Sequence, residues 1–290
     1  MPTAQLGDRA AILIDGPDAE HFLQNILTVD LDRLEPGEAR PGALLSPQGK
    51  ILFDFLISRR GEAGFLLDCR ADAAGDFVRR LMLYRLRAKA EISVQDHLVV
   101  AARWQDDSAS SHADSGSSQL DSSWLADRRF TEGAGVLRHY GEAVAADASP
   151  DDFTRLRIAH GVAEAGADFA AGDAFPHDVL MDENGGVGFH KGCYVGQEVV
   201  SRMQHRGTTR KRVVPVEGDA PLTTGVEVKA GELPIGPIGS VDGVIGLALL
   251  RLDRAEEAAS KGTPLTAGDV TITLHRPAFA QFEVPAALPA

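Results

Sequence analysis

Apolar and polar positions along the first hundred residues fall into short runs that predict strands, broken by two stretches of helical period. The first run, residues 9–14, ends in three aliphatic side chains and is closed by Asp15 and Gly16. From Pro17 to Ile26 the period changes. Phe22, Leu23 and Ile26 then share one helix face, and Pro17 suits the first turn. Two strands are expected around the turn Ser46-Pro47-Gln48-Gly49, the second continuing through residues 53–57. Residues 65–68 read as a further strand. Phe77, Leu81 and Tyr84 then mark one stripe of a helix over 71–85. Strands near 90–94 and 97–104 follow. Strands, a helix and more strands predict an α+β body with an antiparallel sheet.

Residues 105–123 are rich in Ser, Asp and Ala and almost free of large apolar side chains, the pattern of an acidic, solvated loop. Ser149-Pro150-Asp151-Asp152 is a helix start: a serine cap, proline at the first helical position and carboxylates in the first turn. That helix carries Phe153, Leu156, Arg157 and His160, and Gly161 ends it. From Val213 onward, short apolar runs separated by turn residues predict a small antiparallel β-barrel or sandwich.

Composition narrows the function classes. A net charge of −13 over 290 residues argues against wholesale binding to nucleic acid or membranes, which favour basic surfaces. The two cysteines are far apart and form no CxxC, so neither a disulfide framework nor a zinc ribbon is expected. The sequence has neither a basic-then-apolar leader nor an apolar run of about 18 residues, and a reducing cytoplasm is the expected location.

The chemistry concentrates in Lys191-Gly192-Cys193-Tyr194-Val195-Gly196-Gln197-Glu198, which sets a cation, a thiol, a ring, an amide and a carboxylate around two glycines. Residues 198–203 read as a short helix, so Cys193 is expected just before a helix N-terminus, with Lys191 nearby to favour its thiolate. Cys69 sits in an apolar run and is expected to be a packing residue. Downstream, five of the eleven residues from Arg202 to Arg212 are Lys or Arg, either a solvated loop or a local site for an anion.

The eight residues 191–198 match the K-G-C-[FY]-x-G-Q-E signature of the YgfZ-type folate-binding proteins, which share a superfamily with the glycine-cleavage T-proteins. Residues 22–30 are similar to that family's F-L-Q-x-x-x-T-x-D segment, and 45–50 to the hairpin that follows it. Arg157-Ile158-Ala159-His160-Gly161 resembles a family helix end, and residues 246–251 resemble a strand of its barrel. The resemblance covers most of the chain. It implies a folate-binding body over 1–212, made of two interleaved α+β subdomains and containing the acidic loop at 105–123. A C-terminal antiparallel β-barrel would occupy 213–290.

The same resemblance implies a tetrahydrofolate-binding accessory protein that supports assembly or repair of iron–sulfur clusters in [4Fe–4S] enzymes, with indirect effects on tRNA modification. Cys193 would act as a thiolate and as a transient ligand of a shared cluster, since a cluster ordinarily takes four thiolates. Lys191, Gly192, Tyr194, Gly196, Gln197, Glu198, Arg157, Arg202 and Arg206 would bind the folate. For Gln197 and Glu198 an equal reading is that they hold the loop by hydrogen bonds, and Tyr194 suits packing. Partners would be iron–sulfur enzymes or cluster carriers, with no direct nucleic-acid or membrane role.

Two departures bear on catalysis. The paired Asp-Asp of the T-proteins reads Phe53-Asp54 here, and their pterin-facing glutamate falls at Ala159. The alternative, a tetrahydrofolate-dependent aminomethyl transferase, would rely on Asp54, with His160 or His190 moving protons. A third reading, direct RNA binding, rests only on the basic stretch.

Overall fold

A computed structural model of the chain describes residues 1–105, 123–207 and 209–285; the expected acidic loop lies outside them except at its two ends. The chain divides into two compact units with interleaved segments. One holds Met1–Leu45, Phe53–Phe153 and Gly185–Val195; the other holds Ser46–Leu52, Thr154–Asn184 and the chain from Gly196 on.

The first unit is built on a nine-stranded sheet. Its strands are β1 (Thr3–Gln5), β2 (Arg9–Asp15), β3 (Glu38–Leu45), β4 (Ile51–Arg60), β5 (Gly64–Arg70), β6 (Glu91–Val94), β7 (Val99–Arg103), β8 (Trp124–Asp127) and β9 (Leu137–Gly141). They run in the order β1-β7-β9-β8-β3-β4-β5-β2-β6. The described pairings are antiparallel except β3 with β8, where Glu38 faces Ala126. Two helices, α1 (Ala19–Gln24) and α2 (Ala71–Arg85), belong to this unit. Helix α2 turns Ala74, Phe77 and Leu81 into a core with Ile12, Ile14, Leu23 and Phe65. Phe53 stacks on Phe77 at 4.7 Å. Cys69 is in the same core, and burial pushes its thiol up to about 12, with Arg9 opposing.

A second interior in this unit is ionic. Asp68 accepts from Arg9 Nε at 2.6 Å and from the Tyr140 hydroxyl at 3.0 Å. Asp127 accepts from Arg129 Nη2 at 2.8 Å and from Arg138 Nε at 3.0 Å. Asp68, Asp127 and Arg138 are shut off from solvent, and the Arg138 guanidinium lies 4.8 Å over the Phe153 ring. Buried charges survive only when each has a partner, so strands β2, β5, β8 and β9 are held together by ion pairs.

Helix α3 (Pro150–Ala159) begins as expected. The Ser149 backbone N–H donates to the Asp152 carboxylate at 2.8 Å, and the Asp152 N–H donates back to Ser149 Oγ at 3.2 Å, a reciprocal cap. Gly161 ends the helix at φ +73°, where a Cβ would lie 2.5 Å from Pro277.

The second unit contains helix α4 (Gln197–Arg206) and a closed six-stranded antiparallel barrel of the expected kind. Strands β10 (Lys211–Gly218), β11 (Glu227–Ala230), β12 (Leu233–Asp242), β13 (Ile245–Arg251), β14 (Leu265–Ala267) and β15 (Val270–Leu274) close in the order β10-β13-β12-β11-β14-β15. Val214, Val216, Ile235, Ile238 and Leu250 fill it. Gly236 sits at φ +145° in β12, and a Cβ there would stand 2.0 Å from the Leu249 carbonyl oxygen. Only glycine allows that approach. Helix α5 (Leu252–Ser260) follows β13, where no element was expected.

Candidate functional site

Within the first unit, the segment Thr28–Asp30 and the chain from Gly186 to Val195 are tied together. The Thr28 hydroxyl donates to the Gly186 carbonyl at 2.7 Å and accepts from the Ala43 N–H at 2.8 Å. The Gly188 N–H donates to the Thr28 carbonyl at 2.8 Å. Gln24 braces the same segment, donating to Asp30 Oδ1 at 2.8 Å and accepting from the Leu31 N–H at 2.9 Å. Gly188 has no room for a side chain, because a Cβ would meet Asp30 at 2.8 Å and the Lys191 stem at 2.9 Å.

Lys191 completes the tie. Its ammonium donates to the carbonyl oxygens of Leu27 at 2.8 Å and Val29 at 2.7 Å, and it lies 5.3 Å over the Tyr194 ring. Burial pulls its pKa down to about 8, against the opposing charges of Asp30 and Asp32. Its charge therefore sits on the backbone of 27–29, a local role beyond the expected one of favouring the Cys193 thiolate. Tyr194 is buried, which pushes its phenol above its ordinary range, and Val195 packs on the apolar core. Between these anchors Gly192 and Cys193 are exposed. The loop is thus fixed at Lys191 and at Tyr194, with the thiol offered outward, the access a ligating or nucleophilic sulfur needs.

In the second unit, the hairpin turn before β4 meets the start of α4. A Cβ on Gly49 would stand 2.9 Å from Val199 and 3.3 Å from the Gly196 carbonyl oxygen. Gly196 adopts φ +80° immediately before Gln197, the first residue of α4. The helix runs through Arg206, longer than the expected 198–203. Gln197 is half-buried and Glu198 exposed. Arg202 and Arg206 are exposed and pair with no carboxylate among the described residues. Arg212 differs from them: it donates to Asp182 at 2.6 Å and to the His177 carbonyl at 2.8 Å.

Arg157 is buried. It donates to Asp168 Oδ2 at 2.5 Å, to the Val162 carbonyl at 2.8 Å and to Ser240 Oγ at 2.6 Å. Its guanidinium thus joins α3 to β12 inside this unit. Asp54 is half-buried in β4, where its charge is felt at the Cys69 thiol. Thr28 was not singled out from the sequence, although it lies in the 22–30 segment that carried the resemblance. Among the described residues, no group of three or more His, Cys, Asp or Glu is placed to hold a metal ion. No described helix is long and apolar enough to cross a membrane.

Fold and loop together place the chain in a recognisable class. Residues 7–104 match the family model of the GCVT N-terminal domain, and residues 210–282 match that of the CAF17 C-terminal β-barrel domain. The crystal structure of the glycine cleavage system aminomethyltransferase T from Bartonella henselae superposes with a TM-score of 0.70 over 96% of this chain and 86% of that one. At 18% identity, that likeness establishes the fold alone. The iron–sulfur cluster assembly factor IBA57 homologue of Pyricularia oryzae is 32% identical over 90% of this chain and 75% of its own length. Human IBA57 is 30% identical over 85% of this chain and 76% of its own length. The chain belongs to the IBA57 family of iron–sulfur cluster assembly factors. These names also correct the expected cytoplasmic location: the fungal, mouse and human relatives are all named as mitochondrial.

Proposed function

We propose that this protein supports iron–sulfur cluster assembly through the Cys193 thiolate. The observation that carries the reading is the exposed thiol in a loop clamped by Lys191 and Tyr194, together with the function in the relatives' names. The cluster is cargo in this reading. One exposed thiol supplies one of the about four ligands a cluster takes, so the remainder come from an iron–sulfur enzyme, a carrier protein or a small thiol. Effects on tRNA modification would follow indirectly, through [4Fe–4S] enzymes that act on tRNA.

The finer reading is a YgfZ-type protein that also binds tetrahydrofolate or a derivative. Of the cations assigned to that role, Lys191 is engaged by backbone carbonyls and Arg157 by Asp168 and Ser240. Arg202 and Arg206 remain open for the carboxylates of a folate glutamate tail, as charge-assisted donors. Gly192 and Gly196 keep the backbone free of side chains there. Bound tetrahydrofolate would supply one-carbon carrying capacity.

The test is the activity of a [4Fe–4S] enzyme in cells lacking this protein, complemented with wild type or Cys193→Ala at equal protein levels. Restoration by wild type alone is expected; full restoration by Cys193→Ala overturns the thiolate reading and moves attention to Asp54. Calorimetry with tetrahydrofolate on wild type and on Arg202→Ala/Arg206→Ala tests the folate reading separately.

A further inference from the structure

The C-terminal end of α2 presents a surface that the clamped loop does not use. Residues 77–90 contain five Lys or Arg and no carboxylate, in a chain of net charge −13. Cations at a helix C-terminus are favourable by themselves, so charge alone carries little. Three apolar side chains stand among these cations. Met82 is 44% exposed, Leu83 69% and Leu86 84%. Met82 and Leu83 are neighbours in the last turn of α2, and Leu86 is the residue that follows it. Arg80 and Arg87 flank them, exposed and paired with no carboxylate among the described residues. Beside them is a hollow of about 570 Å³, lined by Arg85, Arg87 and Lys89 together with Asp15 and Glu91.

Leu86 is the decisive residue. Among the described residues only two non-glycines adopt positive φ, Leu86 at +48° and Leu180 at +64°. Leu180 is wholly buried, so packing explains a leucine there. Leu86 is the residue just past α2, where glycine is the unstrained choice. It bears the strain of a β-carbon at positive φ and buries almost nothing in return. Residues held in such sparsely populated conformations cluster at binding and switch sites.

We propose that the end of α2 is a docking surface for a partner protein that presents an acidic segment with apolar anchors. The aliphatic trio would receive the anchors, while Arg80, Arg87 and Lys89 would meet the carboxylates. An anionic membrane fits less well: the whole chain is strongly negative, and the opposite face of α2 is committed to the core, leaving only three side chains to insert. The inference is independent of the role of Cys193.

The test titrates the full chain into a fluorescent synthetic peptide with Leu at helical spacing and Glu elsewhere, alongside a control with Lys in place of Glu. Binding of the Glu peptide alone, weakened by salt, is expected. Leu86→Gly should weaken it about tenfold while the melting temperature holds or rises, because the strain is relieved. Arg80→Glu/Arg87→Glu should abolish it. The proposal is overturned by no binding, by equal binding of the control, or by unchanged binding in both variants. It is also overturned if phosphatidylserine vesicles, single-stranded RNA or a second copy of the chain occupy the surface instead, with the same variants abolishing that association.

Discussion

The Lys191 ammonium lies 2.8 Å from the Leu27 carbonyl oxygen, across a separation of 164 residues in sequence. With its second bond, to Val29, it closes the loop that carries Cys193. Lys191→Ala should cost about 1–2 kcal/mol, the range for charge-assisted bonds discounted for partial exposure. The loss should be local. Hydrogen exchange at Gly188 and at residues 192–195 should speed up before the barrel strands change. Equal protection in the variant would show that Thr28 alone holds the loop.

The two cysteines should separate cleanly in reactivity. Cys193 is exposed, whereas Cys69 is in the core with its thiol pushed up to about 12 by burial. Iodoacetamide at pH 8 should label one thiol in the native protein and two in guanidinium, with peptide mapping placing the native label at 193. Native labelling of Cys69 would mean that the core around α2 opens readily.

Asp127 gives the acid side of stability a named source. Burial raises its pKa, but the charges of Arg129 and Arg138 outweigh that and hold it below the usual carboxylate range. A carboxyl lowered on folding contributes stability above its unfolded value of about 3.9, lost as pH falls toward the folded value. Asp127→Asn should therefore be strongly destabilised at pH 7, by about 3–5 kcal/mol, and by less as pH drops below 4. Urea midpoints for both proteins across pH 3–7 measure the difference; parallel curves would mean that Asp127 does not titrate with unfolding.

That ionic interior also shows where the sequence stops being readable. Apolar period located α2, and the Ser46–Gly49 turn located the hairpin between β3 and β4, because both bury ordinary hydrophobic side chains. Strands β8 and β9 were missed because Asp127, Arg138 and His139 are buried in them. Asp127 is paired by Arg129 and Arg138, and Arg138 also faces Asp68 of β5, contacts between charged side chains that no apolar period registers. Helix α5 was missed because its inward residues are Ala255 and Ala258, too small to mark a face. At the loop, the residue types of 191–198 announced chemistry, and the structure adds how two of them hold the loop. The lysine braces the loop on the backbone carbonyls of Leu27 and Val29, which no motif shows, and the tyrosine packs as expected.

Arg157 makes the same point in a testable form. The resemblance assigns it to the folate, and in the structure it is buried with its guanidinium on Asp168, Val162 and Ser240. Asp168 in turn accepts from the backbone N–H groups of Glu164 and Ser240. Removing that carboxylate would leave the buried cation, among the described residues, with only the Glu164 carboxylate, at 3.6 Å, and orphan two backbone donors at once. Asp168→Ala should lose about 3–5 kcal/mol, and Arg157→Ala a comparable amount by leaving Asp168 uncompensated. The double variant should cost less than the two losses added together, because each single change orphans a partner that the other change removes. Chemical denaturation of the three variants closes the cycle. Strict additivity would mean that the pair is not coupled, and would return Arg157 to the residues available for a ligand.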